Sequence, residues 1–539
     1  MSPRPVVLIG LDGASHAAFG PLIASGEMPT LGGLVARGAS GVVRSVVPPI
    51  TPAAWSSFMT GKYPGKHGVY DFRLYDPRTY RDVFVTSRAL RDATMWETLT
   101  AAGRRVGVIG LPVTYPPDPR AGTVVSGFDT PSTAAAFTHP PALRERILAE
   151  MPDYAFIAVP DVKDPNLERD ESFADFVRQV ERGFEQRTAV ALDLLADGAW
   201  DVFMVHYQDV DILQHRAWRC LEEPDAQPER TAQVRRAYRR LDTLLAALLS
   251  AAPPRALVLV VSDHGFGPHW GRVFPNTVLR DWGYLRKDRP GKLRRSIRKR
   301  LAWLGLVEPP AKRPKPEGAW ISVVRETSLA SVLALDWRRT RAYVAVAEMY
   351  GLLYLNVRGR EPRGIVPPEE AGALRDELRA RFAALADPKD GAPVFAEVLP
   401  GEAVYPEDPF GRRPDLVLVP RPGYTVGRDL MPQMWLDHFA VMNGTHRPEG
   451  VLVAAGDGVR SGPLAAGADL VDLAPTVLAT AGVPVPADMD GRVLTELFLE
   501  APEVSYGPAA ERAEREAEGL AADEEDEVSR RLRALGYMA

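Results

Sequence analysis

Short unbroken apolar runs recur along this chain, and they constrain its fold more than any other feature. They are Val6–Leu11, Val106–Ile109, Val202–Val205, Leu257–Val261, Leu416–Val419 and Val451–Ala455. A run without polar alternation suits a strand covered on both faces, as in a parallel sheet layered between helices. Between the runs lie helical patterns: Phe173, Val177, Val180, Phe184, Ala191 and Leu195 recur at helical spacing, as do Val234, Tyr238, Leu241, Leu245 and Leu248. The alternation predicts an α/β fold, a doubly wound and mostly parallel sheet. In such sheets functional residues gather at the carboxyl ends of the strands.

The chain has 539 residues, 46% hydrophobic and 25% charged, an ordinary globular composition. Its net charge of −5 gives no global attraction to nucleic acid, and no such partner is expected. Cys220 is the single cysteine, so no disulfide framework can form. It lies beside Arg219 in a polar stretch and reads as a bystander. The run at Val6 is too short for a signal-peptide core, and no stretch reaches the roughly 18 apolar residues of a membrane span. A cytoplasmic protein is expected.

Residues 1–269 and 441–500 read as two parts of one catalytic domain, with 270–440 as an inserted cap and 501–539 as a charged tail, helical or loosely held. A basic stretch lies within 286–304. Arg286, Lys287, Arg289, Lys292, Arg294, Arg295, Arg298, Lys299 and Arg300 stand against Asp288, with Leu293, Ile297, Leu301 and Leu304 interleaved at helical spacing. The favoured reading is a cap helix; the other is peripheral contact with an anionic membrane surface.

Five segments offer chemistry. Asp12 ends the first apolar run, and Gly13 allows a sharp exit from the strand. Asp263 and His264 follow the run at Leu257–Val261, and Gly265 is expected to break the strand so that both side chains can face one cation. Asp211 and His215, at i and i+4, share one face if their segment is helical. His446 follows Gly444 and Thr445. Thr51 precedes Pro52 and a helical pattern, where a hydroxyl meets a field that favours phosphate; alternatively it is an N-cap with proline at the first helical position. Each segment alone has an ordinary structural reading. Together, four strand ends bearing Asp or His and a fifth bearing a hydroxyl point to a two-metal phosphoryl-transfer site.

The order Asp12; Thr51 ahead of Gly61-Lys62-Tyr63-Pro64-Gly65-Lys66-His67-Gly68; Asp211-x-x-x-His215; Asp263-His264-Gly265; and Gly444-Thr445-His446 resembles the type I phosphodiesterase/nucleotide pyrophosphatase family of the alkaline phosphatase superfamily. The resemblance implies an alkaline phosphatase-like sheet. It implies two divalent ions, zinc or alternatively manganese. Asp12, Asp263, His264 and the Thr51 oxygen would hold one; Asp211, His215 and His446 would hold the other. It implies hydrolysis of a small phosphate ester, a phosphodiester or nucleotide pyrophosphate, through a phosphothreonine at Thr51. In one respect the chain departs from the family: the Asn that commonly lies three residues after the nucleophile is replaced by Ala54.

A phosphotransferase or phosphomutase on the same fold, and a non-catalytic binding protein, are the alternatives. Thr51-Pro52-Ala53-Ala54-Trp55 does not fit a sulfatase nucleophile motif. No Arg lies beside Thr51 to grip a dianionic monoester, which favours diesters. His67 reads as structural, and His16, His139, His206, His269 and His438 have no partner that the sequence identifies.

Overall fold

The computed structural model describes residues 3–160, 164–287, 335–438, 442–464, 467–509 and 520–535. The basic stretch therefore lies outside the described residues from 288 onward, and with it the question of membrane contact.

A ten-stranded sheet forms the centre. From one edge its main path runs Gly462–Pro463, Ala39–Arg44, Glu449–Ala455, Leu257–Val261, Val6–Leu11, Val202–Tyr207, Val106–Ile109, Thr123–Val125 and Thr138–His139. The strands from Leu257–Val261 through Thr123–Val125 are mutually parallel. Val6–Leu11 and Val202–Tyr207 are buried along their whole length, which accounts for their unbroken apolar sequence.

Two of the predicted runs do not belong to that parallel set. Glu449–Ala455 is antiparallel to both its neighbours. Leu416–Pro420 lies in a separate four-stranded antiparallel sheet with Ala342–Ala347, Gly351–Leu355 and Phe395–Pro400. A run of apolar residues reports burial on both faces and carries no information about strand direction. The second sheet has its own hydrophobic core, closed by Leu374, Leu378 and Phe382 of the helix Pro368–Ala383 and joined by Tyr70 and Tyr75 from the first part of the chain.

Both predicted helices form, as Asp170–Ala196 and Pro228–Ala251. Their exposed edges are joined by Arg236–Glu181 and Arg240–Glu185 ion pairs, each at 2.8 Å. Asp242 of the second helix accepts from the backbone N–H groups of Thr30 and Leu31 at 2.9 Å, satisfying donors that open the helix Pro29–Arg37.

Near the C-terminus the helix Ala522–Leu535 docks firmly. Val528, Leu532 and Leu535 join the main core. Arg531 donates to the carbonyls of Phe128, Thr130 and Pro131 at 2.8 Å, and Glu525 meets Arg73 at 2.7 Å. The apolar residues recur at i, i+4 and i+7 among charged ones, a stripe easily overlooked in so polar a segment. Leu532→Ala should weaken this docking by about 2–5 kcal/mol. The expected readout is faster removal of the C-terminal segment by limited proteolysis while the sheet core stays intact.

Candidate metal centre

The carboxyl ends of three parallel strands bring the predicted residues together. Asp12 follows Val6–Leu11, and Asp263 and His264 follow Leu257–Val261. The strand already ends at Val261, so Ser262 rather than Gly265 begins the turn. Gly265 instead opens the short strand Gly265–Pro268, where a Cβ would stand 2.0 Å from the Glu449 carbonyl oxygen. That strand pairs antiparallel with Gly444–Arg447 and sets Phe266 opposite His446. Beyond Val202–Tyr207, the helix Asp209–Glu222 carries Asp211 and His215 on one face, as their spacing predicts.

The ligand atoms form two groups, Asp12–Asp263–His264 and Asp211–His264–His446, each spanning no more than 4.8 Å. His264 Nε2 lies 3.4 Å from Asp263 Oδ2, 3.6 Å from Asp12 Oδ1 and 3.9 Å from Asp211 Oδ1. It therefore faces both carboxylate sets, whereas the sequence reading gave it to one. His215 joins the second group at 3.5 Å from Asp211 Oδ2 and 3.0 Å from His446 Nε2. His446 Nε2 lies 3.2 Å from Asp211 Oδ1.

Five of the candidate ligands are held from behind. His215 Nδ1 is 2.9 Å from the Gly444 carbonyl, His264 Nδ1 3.1 Å from that of Gly265, and His446 Nδ1 2.9 Å from that of Pro49. Carbonyls only accept, so each Nδ1 carries the proton and each Nε2 lone pair points into the cluster. Asp263 Oδ1 accepts from the Gly13 N–H at 3.2 Å, and Asp12 Oδ2 accepts from Trp55 Nε1 at 2.9 Å.

Electrostatics and hydrogen bonding both fit a cation. Burial, and then the charge of Asp12, pushes Asp211 and Asp263 well above the usual carboxylate range. Burial, and then the neighbouring His446, pushes His215 and His264 well below the usual imidazole range; burial brings His446 down to about 4. The three imidazoles are thus neutral, which is the ligating form. Asp12 Oδ1, Asp263 Oδ2, His264 Nε2 and Thr51 Oγ1 are buried and make no hydrogen bond. Facing Nε2 lone pairs 3.0 Å apart, beside carboxylate oxygens without donors, are what divalent ions would satisfy.

Thr51 is not an N-cap. Ile50 takes the cap position, Thr51 opens the helix Thr51–Thr60, and no side-chain cap bond forms. All ten residues of that helix are buried. Its start lies between two ties to the cluster, the Pro49 carbonyl to His446 just before the helix and Trp55 to Asp12 one turn into it.

Among residues without an assigned role, His206 Nε2 lies 3.1 Å from Asp12 Oδ2. A histidine in the last residues of an otherwise apolar buried strand was the available signal. His67 lies 2.8 Å from Ser57 Oγ and is structural, as its setting suggests. His269 packs on the Met442 and Gly271 carbonyls, His438 on Asp387, and His16 on the Gly41 carbonyl. Cys220 is buried on the inner face of its helix and packs in the main core.

This arrangement places two groups of Asp and His that could hold divalent ions at the carboxyl edge of a mostly parallel α/β sheet. The family model described as type I phosphodiesterase/nucleotide pyrophosphatase matches residues 6–449, and the chain belongs to that family, whose members hydrolyse phosphoric ester bonds. Among solved structures, phosphonoacetate hydrolase from Sinorhizobium meliloti 1021 is similar in its complex with phosphonoformate, with a TM-score of 0.53 and 18% identity over 89% of this chain and 96% of that one. Its complex with phosphonoacetate gives a TM-score of 0.52 at the same identity and coverage. At that identity the likeness concerns the fold. A search of curated protein sequences returns no match. Among the described residues no helix is long and apolar enough to cross a membrane.

The metal-free protein should be measurably less stable. Saturation with Zn²⁺ or Mn²⁺ at 100 times Kd should add about 2.7 kcal/mol for one site. Thermal denaturation with and without chelator should show the difference, and Asp263→Asn should remove most of it.

Proposed function

We propose that this protein is a two-metal phosphohydrolase that cleaves a phosphodiester or nucleotide pyrophosphate through a phosphothreonine at Thr51. One observation carries the reading: the two ligand groups meet at His264 and are bonded to the Thr51 helix through Trp55 and to the segment just before it through Pro49. Asp12, Asp263, His264 and Thr51 Oγ1 would hold one ion, and Asp211, His215 and His446 the other. Zinc or manganese suits this mixture of oxygen and nitrogen donors. When bound, the ions supply Lewis acidity, lowering the hydroxyl pKa and neutralising charge on the phosphoryl oxygens.

The chain's own residues do the rest. Thr51 Oγ1 attacks phosphorus; the Oγ1–P bond forms as the bond to the leaving oxygen breaks. Water then cleaves the phosphothreonine and restores the hydroxyl. Burial around Thr51 strengthens every charge interaction with the substrate. The N–H groups of Thr51 and Ala53 open the helix and have no intrahelical acceptor, so they can donate to phosphoryl oxygens. They stand in for the amide donor that Ala54 lacks. Residues 270–440 act as the cap that selects the substrate. A cytoplasmic setting agrees with the single Cys220.

Thr51→Ala should lower turnover by roughly three orders of magnitude or more, while Thr51→Ser keeps part of it. Mass spectrometry of acid-quenched enzyme should find phosphate on Thr51; phosphate on Ser56 or Ser57 would move the nucleophile.

A panel of aryl phosphate mono- and diesters tests the substrate class. Diesters should show the higher kcat/KM, because no Arg flanks Thr51 to clamp a dianion. A monoester preference of about tenfold, equivalent to roughly 1.4 kcal/mol of transition-state binding, would overturn that assignment.

A further inference from the structure

Asp12 has one bare carboxylate oxygen and one that is crowded. Oδ1 makes no hydrogen bond and faces His264. Oδ2 accepts from Trp55 Nε1 at 2.9 Å and lies 3.1 Å from His206 Nε2. His206 Nδ1 lies 3.0 Å from the Gly110 carbonyl and donates to it, so a hydrogen bond to Oδ2 requires a second proton, on Nε2. Trp55 and His206 meet edge to face, with centroids 4.8 Å apart and an interplanar angle of 81°.

The backbone makes room for this pair at one place. His206 sits opposite Gly10 in the parallel register between Val6–Leu11 and Val202–Tyr207. A Cβ on Gly10 would stand 2.9 Å from His206 Cδ2 and 3.1 Å from Trp55 Cη2. Residues i and i+2 of a strand share a face, so the gap at Gly10 opens beneath Asp12. The bare glycine in an apolar strand lets two rings reach one carboxylate.

We propose that Trp55 and His206 are positioning residues for Asp12. Together they hold Oδ2 and turn Oδ1 alone toward the Asp263–His264 group. Trp55 has a second consequence. It lies one helical turn beyond Thr51, on the same face at i+4, so its bond to Asp12 sets the start of the Thr51 helix relative to that ligand. The assignment rests on the two-metal reading above and specifies what orients one of its ligands.

Mn²⁺ titration of the metal-depleted full-length protein, with free Mn²⁺ counted by electron paramagnetic resonance, tests it without reference to activity. Wild-type protein should bind two equivalents. Trp55→Phe keeps the ring and removes the N–H; it should bind one equivalent as wild type and the other roughly tenfold or more weakly, as loss of an outer hydrogen bond to a ligand does. His206→Leu should resemble it. His206→Gln has two amide hydrogens for the same two oxygens and should stay within about threefold of wild type.

Circular dichroism of each metal-depleted variant checks that it is folded. Should Trp55→Phe fail to fold, the Leu and Gln variants at His206 decide the matter. Folded Trp55→Phe and His206→Leu variants that bind both equivalents with wild-type affinity would overturn the positioning role. So would equal weakening of both equivalents, which is the mark of a general structural effect. Wild-type protein that binds fewer than two equivalents would instead overturn the two-metal reading beneath it.

Discussion

Three carboxylates, Asp12, Asp211 and Asp263, are fully buried within 4 Å of one imidazole nitrogen, His264 Nε2. Removed from water, like charges so close repel strongly, and burial together with the charge of Asp12 raises the proton affinity of Asp211 and Asp263. No flexible loop would hold such a cluster closed. The parallel strands do, because each ligand projects from a strand end, or the segment after it, whose backbone is already paired on both sides. The buried core beneath supplies the free energy that keeps these charges together, and bound cations would neutralise them.

Orientation depends on a layer of backbone and ring contacts behind the ligands. Three imidazoles are fixed by carbonyls at Nδ1, and two carboxylates each have one oxygen occupied by an N–H donor. Of the carbonyls, Pro49 belongs to the segment just before the helix of Thr51, and Gly444 and Gly265 to the short paired strands that place His446. A displacement of the Pro49 segment would therefore shift His446 and the start of the Thr51 helix together. The candidate ligands and the start of the Thr51 helix are thus linked through shared hydrogen bonds rather than placed independently.

The second sheet reaches this centre by packing as well as by chain connection. Met349, in the turn between Ala342–Ala347 and Gly351–Leu355, belongs to the main hydrophobic core, and its sulfur lies 3.5 Å from Thr445 Oγ1. Thr445 is the neighbour of His446. Close behind, Glu348 faces Arg272 at 3.3 Å, and burial pushes the carboxyl up to about 8 although Arg272 pulls it down. The turn thus brings Glu348 and Arg272 near the strand that carries His446.

From the residues alone, much of this was legible. Apolar runs at Val6–Leu11, Val202–Val205 and Leu257–Val261 announced buried strands, and Asp12, Asp211, His215, Asp263, His264, His446 and Thr51 stood out by their places beyond strands and at helical spacing. Those features are local: periodicity and the residues next to it depend on a few neighbours in sequence. What only the tertiary structure decided depends on residues far apart in the chain. It made Glu449–Ala455 antiparallel, set Leu416–Pro420 in another sheet, placed His264 between two ligand groups, and turned Trp55 and His206 onto Asp12. Each of these follows from register and packing across separations of tens to hundreds of residues, and neither hydrophobic period nor motif spacing encodes such pairings.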